Sequence, residues 1–279
     1  VNINGVDAMF EAIIVFLLGL FFGSFANVCI YRMPKELSVV KPRSHCTNCN
    51  KLISWYDNIP VLSYLFLNGK CRGCGSRISM IYPVIEIICA LLFLLMYMLF
   101  GFSYMLAVFC IFIFALLVIT VIDLQHQIIP DEMSLLLVIA GFSGSFVNYT
   151  LGSTVLERIL NSFIGFIAGG GSLYIIAVLG KWILKQEAMG GGDIKLMAGV
   201  GTFIGWEKVL FAIFIASVLG SIVGITLILL KKIMRKDAIA FGPYLAAGSA
   251  LTLFLPQPAF IISSILLFEE QLLLKLIHA

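Results

Sequence analysis

The sequence predicts an all-α polytopic membrane protein of about eight transmembrane helices, with one long extramembrane loop between the first and the second. Two observations predict it. The 279 residues are 61% hydrophobic and only 12% charged, whereas soluble chains are about 45–50% apolar. At a mean hydropathy of +1.08, the chain has more apolar surface than a water-soluble domain of this length could bury. Apolar stretches of about 18–20 residues, the length that crosses a hydrocarbon core, also recur along it. The net charge of +3 is too small and too scattered for a nucleic-acid surface, so the expected surroundings are a lipid bilayer and no nucleic acid.

Taken in order, the spans are expected at 9–30, 83–102, 105–123, 133–150, 159–180, 196–206, 208–230 and 241–256. Gly19 and Gly23 make a G-x-x-x-G step in the first, and Gly165, Gly169, Gly170 and Gly171 crowd the fifth; small residues at these spacings let helix backbones approach closely. No strand precedes either cluster, so neither is a nucleotide-binding loop. The sixth span is short, and its glycine-rich entry predicts an irregular start. A last apolar stretch, 259–277, follows Pro256-Gln257-Pro258 and carries Glu269 and Glu270; it reads as an interfacial helix or an extra span. The domain organisation expected is therefore a first helix (1–30), a folded loop (31–82), a transmembrane domain (83–256) and this C-terminal element.

Threading these spans gathers 15 of the 18 basic residues onto one side. The positive-inside rule makes that side cytoplasmic. The N-terminus then lies outside, and the first span serves as signal and anchor together.

Two acids stand at span ends on the cytoplasmic side. "VIDLQHQIIPDEM" (Val121 to Met133) ends the third span with Asp123, and "MGGGDIKL" (Met189 to Leu196) opens the sixth with Asp193. Ionisable groups are costly at membrane depth, so two of them at one expected depth suggest a carboxylate dyad. Such a pair shares one proton: one member takes a proton from an attacking water, while the other hydrogen-bonds the substrate carbonyl and assists the leaving amine. Gly190 and Gly192, beside Asp193, remove side chains and permit close approach. The alternative is that Asp123 is an interfacial carboxylate at a helix end and Asp193 a helix cap. Asp131, after Pro130, reads as the N-cap of the fourth span.

"SHCTNC" and "CRGC" set Cys46, Cys49, Cys71 and Cys74 in a C-x2-C, x21, C-x2-C array, which matches a four-cysteine zinc site and predicts a zinc-binding cytoplasmic loop. Disulfides are not expected in a reducing compartment; a redox pair is the competing reading. Cys29, Cys89 and Cys110 lie in spans and read as small apolar fillers.

Beyond these motifs, the chain resembles the bacterial type IV prepilin peptidases, also called leader peptidase/N-methyltransferases, which are intramembrane aspartic proteases of the GxGD class. The resemblance runs in order through "GSFANVCIYRMP", "RSHCTNC", "ISWYDNIPVLSYL", "GKCRGCGSRIS", "YPVIE", "IDLQHQIIPD", "GGGD" and "AFGPYLAAG". It implies catalytic roles for Asp123 and Asp193, with Gly190 and Gly192 at the family's two glycines. It also implies that the substrate is a type IV prepilin or pseudopilin, cleaved beyond the glycine of its basic leader. A second activity, methylation of the new N-terminal amine (often of phenylalanine) with S-adenosylmethionine, is implied in the same way. Asn27, Arg32, Gly69 and Glu86 are the candidates for it, and scaffolding of the loop is their other reading. The location implied is the bacterial cytoplasmic membrane.

Readings from other classes predict different outcomes. A transporter using the two aspartates would carry flux without cleavage. An assembly factor would tolerate both Asp→Asn changes. A peptidase without methyltransferase activity would cleave and stop.

Overall fold

The computed structural model describes residues 5–185, 189–232 and 239–255, so the C-terminal element expected at 257–279 lies outside the described residues. Helices dominate, and among the described residues there is no strand beyond two isolated bridges. The chain divides into two compact units, Val1–Met133 and Ser134–Ala279.

In the first unit, α1 (Gly5–Arg32) runs into the loop, which holds a short 3-10 turn (Trp55–Asn58) and the small helix α2 (Leu62–Phe66). α3 (Ile81–Phe100) and α4 (Tyr104–His126) follow, and the three long helices pack on one another. Lipid is as apolar as leucine, so close van der Waals fit rather than water exclusion holds such helices together. Gly19 and Gly23 provide that fit. A Cβ on either would lie 2.5 Å from a backbone Cα of α3, that of Ala90 or Glu86 respectively. Aromatic rings fill the remaining space, with Phe100 stacked on Phe109 at 4.4 Å and Phe22 tilted on Phe93 at 5.5 Å. An acid inside α1, Glu11, accepts the Tyr97 hydroxyl at 2.8 Å, which accounts for its place in a span.

Most of α5 (Asp131–Gly144) belongs to the second unit, with α6 (Val155–Leu184), α7 (Gly191–Leu229) and α8 (Gly242–Leu251). α6 starts with a full capping box between Thr154 and Glu157, which satisfies orphan N–H groups at its end. It lies flush on α7, since a Cβ at Gly165 or Gly169 would overlap the Gly201 or Met197 carbonyl. The crowded glycines of the expected fifth span are thus an interface.

α7 is broken at Gly205 (φ 76, ψ 175), a left-handed backbone suited to glycine. The break deprives nearby carbonyls of their helical donors, and side chains replace them: Ser162 Oγ donates to Thr202 O and Asn148 Nδ2 to Phe203 O, both at 2.8 Å. This break is the expected division between the sixth and seventh spans. Among the described residues five helices are long and apolar enough to cross a membrane, the longest being the bent α7. With α5 and α8 and the two limbs of α7 counted separately, the eight-span expectation fits approximately.

Two expectations need adjusting. The helix of the fourth span, α5, ends at Gly144 rather than near 150, and a short 3-10 turn (Tyr149–Leu151) follows, capped by the Asn148 side chain, which accepts the N–H and hydroxyl of Thr150. The sixth span starts in regular helix at Gly191, five residues early, with Gly190 as its N-cap. Asp193 is therefore a first-turn residue and not the cap.

Candidate functional site

The four loop cysteines come together. Their Sγ atoms all lie within 4.8 Å of one another, and Cys46 and Cys74 are 3.9 Å apart. Thiolates around a tetrahedral zinc at about 2.3 Å would stand about 3.8 Å apart, so the donor set fits that ion. Two matching knuckles build the cluster. In the first, Cys46 N–H bonds the Lys51 carbonyl, Asn50 N–H bonds the Cys46 carbonyl, and His45 pairs with Leu52. In the second, Cys71, Ser76, Gly75, Lys70 and Arg77 repeat the same three contacts. The residue after each C-x2-C, Asn50 (φ 55) or Gly75 (φ 71), takes the left-handed turn. Asn and Gly accept that backbone most readily, and their shared register was a readable sign of a repeat.

Donors surround the sulfurs as they do around thiolate ligands. The Ser76 hydroxyl lies 3.1 Å from Cys74 Sγ, Asn48 Nδ2 at 3.7 Å, and Gly73 N–H is 3.4 Å from Cys71 Sγ. The Ser76 side chain and N–H, then Asn48, hold the Cys74 thiol down to about 6. At Cys49 the Lys51 N–H pulls downward, but desolvation and the neighbouring Cys74, Cys46 and Cys71 thiols outweigh it and push the group up to about 11. Thiols this close resist ionising together. A dication removes that resistance, and the cluster could hold one metal ion.

A second polar centre joins the loop to the ends of α1 and α3. Asn27, Arg32 and Glu86 are all buried there. Asn27 Nδ2 donates to the Tyr82 carbonyl at 3.1 Å. Arg32, the last residue of α1, donates to the carbonyls of Ser38 at 2.9 Å and Pro42 at 2.8 Å. The Glu86 carboxylate accepts the Val61 N–H at 2.7 Å. Gly69 (φ 65) turns the chain before Cys71, and a Cβ there would stand 2.8 Å from the Tyr64 hydroxyl. These residues hold the loop. Asn27, Arg32 and Glu86 each commit a polar atom to backbone, and Gly69 has no side chain. The seat of Glu86 on Val61 was not legible, since no residue pattern announces a valine at positive φ.

The aspartates occupy opposite kinds of helix end. Asp123 is buried in the last turn of α4, within the first unit, and its carbonyl accepts the N–H of the left-handed Gln127. Asp193 is half-buried in the first turn of α7, within the second unit. A Cβ on Gly190 would come 3.3 Å from Asp193 Oδ2, whereas one on Gly191 would meet nothing within 4 Å. A groove of about 520 Å³ lies elsewhere in the second unit, lined by Ser217, Gly220, Gly224, Phe241 and Tyr244 among others, and among the described residues no carboxylate or cysteine lines it.

Fold and sites together define a helical membrane protein with a four-thiol loop near its start and span-end aspartates farther along. Comparison with known proteins places that class. Residues 17–100 match the bacterial peptidase A24 N-terminal domain and residues 110–225 match the type IV leader peptidase family. The chain is 37% identical to the prepilin leader peptidase/N-methyltransferase of Myxococcus xanthus over 78% of its own length and 63% of the relative's. It is 34% identical to that of Aeromonas hydrophila, over 86% of this chain and 89% of the relative, and 31% identical to that of Bacillus subtilis, over 85% and 92%. No solved structure matches the chain. The chain belongs to the type IV leader peptidase family.

Proposed function

We propose that this chain removes the basic leader from type IV prepilins or pseudopilins and then methylates the exposed N-terminal amine. The observation that carries this reading is that the stretch matching the type IV leader peptidase family, 110–225, contains both Asp123 and Asp193, while the N-terminal match, 17–100, contains all four clustered cysteines. The relatives' names support both activities.

In this reading Asp123 and Asp193 form the catalytic pair and share one proton, which belongs to the pair rather than to either residue. The ionised carboxylate accepts a proton from water as its oxygen attacks the scissile carbonyl. The protonated one hydrogen-bonds the carbonyl oxygen, and a proton then passes to the departing amine as the C–N bond breaks. Gly190 and Gly192 leave room beside Asp193. Cys46, Cys49, Cys71 and Cys74 hold zinc, which closes the loop structurally; four thiolates leave no open position for substrate. S-adenosylmethionine supplies the methyl group. Asn27, Arg32, Gly69 and Glu86 act on that reaction as positioning residues by fixing the loop. The protein sits in the bacterial cytoplasmic membrane with its N-terminus outside, its basic loops inside, and both aspartates at the cytoplasmic face. There they meet the junction between a prepilin's basic leader and its apolar helix.

Mass spectrometry of a prepilin incubated with the purified protein and S-adenosylmethionine tests the proposal. The expected product lacks the leader and carries one added methyl group. Cleavage without the methyl would leave a peptidase alone, and an intact prepilin would remove the proposal.

A further inference from the structure

The small helix α2 is inside-out for a water-facing element. Its buried residue is a serine, Ser63, whose hydroxyl donates to the Tyr56 carbonyl at 2.9 Å. Its exposed residues are Leu62, Leu65 and Phe66, the last 83% exposed. Spacings of three and four place these three on one helix face. The run Ile59–Leu67 around them contains no charged residue. In water such a face would be an uncovered apolar patch.

The contacts of α2 fix its depth. Val61, its N-cap, bonds Glu86, and Glu86 lies five residues into α3, which starts at Ile81. At about 1.5 Å per residue this is roughly 7–8 Å along the helix. Amphipathic interfacial helices sink about 5–10 Å into the headgroup boundary. Tyr64 also lies against Met80, its hydroxyl 2.8 Å from Sδ, at the start of the same span. Over that depth α3 itself exposes Ile81, Val84, Ile87 and Ile88, side chains that face lipid in a span. Beyond α2 the chain turns basic at Lys70 and Arg77, both exposed, and such residues favour a headgroup layer.

We propose that α2 is seated in the cytoplasmic headgroup–acyl boundary of the bilayer, with Leu62, Leu65 and Phe66 inserted into lipid, so that the cysteine loop rests on the membrane. The lipid surface is the occupant because the exposed face lies at the depth of the lipid-facing side of α3, to which α2 is bonded. This seat requires that α3 spans the membrane with the cysteine loop on its cytoplasmic side, and it is independent of the catalytic reading.

Fluorescence of the full-length, zinc-loaded protein in lipid nanodiscs tests it. Trp55, Trp182 and Trp206, all the tryptophans of the chain, are replaced by phenylalanine, and Phe66→Trp supplies one reporter. The expected reporter emission is blue-shifted, loses most of its intensity when the lipids are brominated near the headgroup, and is spared by aqueous iodide. Quenching by iodide and not by brominated lipid would place the face in water. Protection from both would place it against protein, as in a contact with a second copy. Either result overturns the seat. Photolabelling of the unsubstituted chain by a diazirine-bearing lipid keeps the test open if the reporter variant misfolds. Label mapped to Leu62–Phe66 is expected, and its absence there while α3 is labelled would be equally decisive against the proposal.

Discussion

The Glu86 carboxylate accepts the backbone N–H of Val61 at 2.7 Å, across 25 residues of chain. Val61 is the centre of a γ-turn: φ is 59 and ψ −49, and the Leu62 N–H bonds back to the Pro60 carbonyl. A β-branched residue at positive φ costs on the order of 1–3 kcal/mol. A hydrogen bond to a charged group contributes about 1.5–3 kcal/mol, enough to offset that strain. The buried acid of α3 thus sets the conformation by which the loop enters α2.

Glu86→Ala should release this turn. Amide exchange across Val61–Phe66 should speed up by the equivalent of about 1–3 kcal/mol, with methylation falling more than leader cleavage. Glu86→Gln, which keeps an acceptor oxygen, should fall between. Val61→Gly added to Glu86→Ala should recover part of the loss, because glycine needs no clamp to hold a positive φ. Unchanged exchange in Glu86→Ala would show that the clamp does not hold the turn.

The proposed aspartate pair predicts a non-additive result. Asp123→Asn and Asp193→Asn should each abolish cleavage while the protein remains inserted and folded. The double variant should be hardly worse than either single, since residues acting as one unit do not contribute separately. Near-normal turnover in either single variant would remove that residue from the chemistry. A pre-cleaved pilin with a free amine should still be methylated by both single variants, because that reaction has no water to activate.

How far the sequence could be read depended on the range of the interaction involved. Hydropathy located the membrane helices, and the glycine clusters announced the α1–α3 and α6–α7 contacts, because both signals are local and periodic. The C-x2-C pairs announced the thiol cluster for the same reason. Helix ends were less legible: α5 stops at Gly144 and a 3-10 turn capped by Asn148 follows inside the same apolar stretch, a change that hydropathy does not register. Least legible were the long-range polar contacts. Asn27, Arg32 and Glu86 stood out as polar residues near span ends, but their backbone partners at Tyr82, Ser38, Pro42 and Val61 depend on how the loop folds back.

Metal analysis should find about one zinc per chain, bound through Cys46, Cys49, Cys71 and Cys74. The loop exposes Leu37, Val40, Leu52 and Trp55 and has little core of its own, so its order should depend on the ion. Chelation, or serine at any one of the four positions, should increase proteolysis within 31–82 and leave the membrane helices intact, as judged by far-UV dichroism. A cleavage-competent preparation without zinc, whose loop resists protease, would contradict a structural metal.

The three glycines before Asp193 should not be equivalent. Gly190 has an ordinary extended backbone (φ −71, ψ 144), so alanine is conformationally allowed there. Its Cβ would, however, press to 3.3 Å from Asp193 Oδ2, and the carboxylate would have to give way by a few tenths of an ångström. Misplacing a reacting group by about 1 Å costs about a hundredfold in rate, so Gly190→Ala should lower kcat about tenfold and leave KM nearly unchanged. Gly191 begins α7, and a Cβ there meets nothing within 4 Å. Alanine favours helix over glycine by about 1 kcal/mol, so Gly191→Ala should keep its turnover and unfold no more readily than the parent. Steady-state cleavage of a prepilin peptide by both variants checks the pair. Equal losses at the two positions would mean that the run serves backbone flexibility rather than room beside the carboxylate.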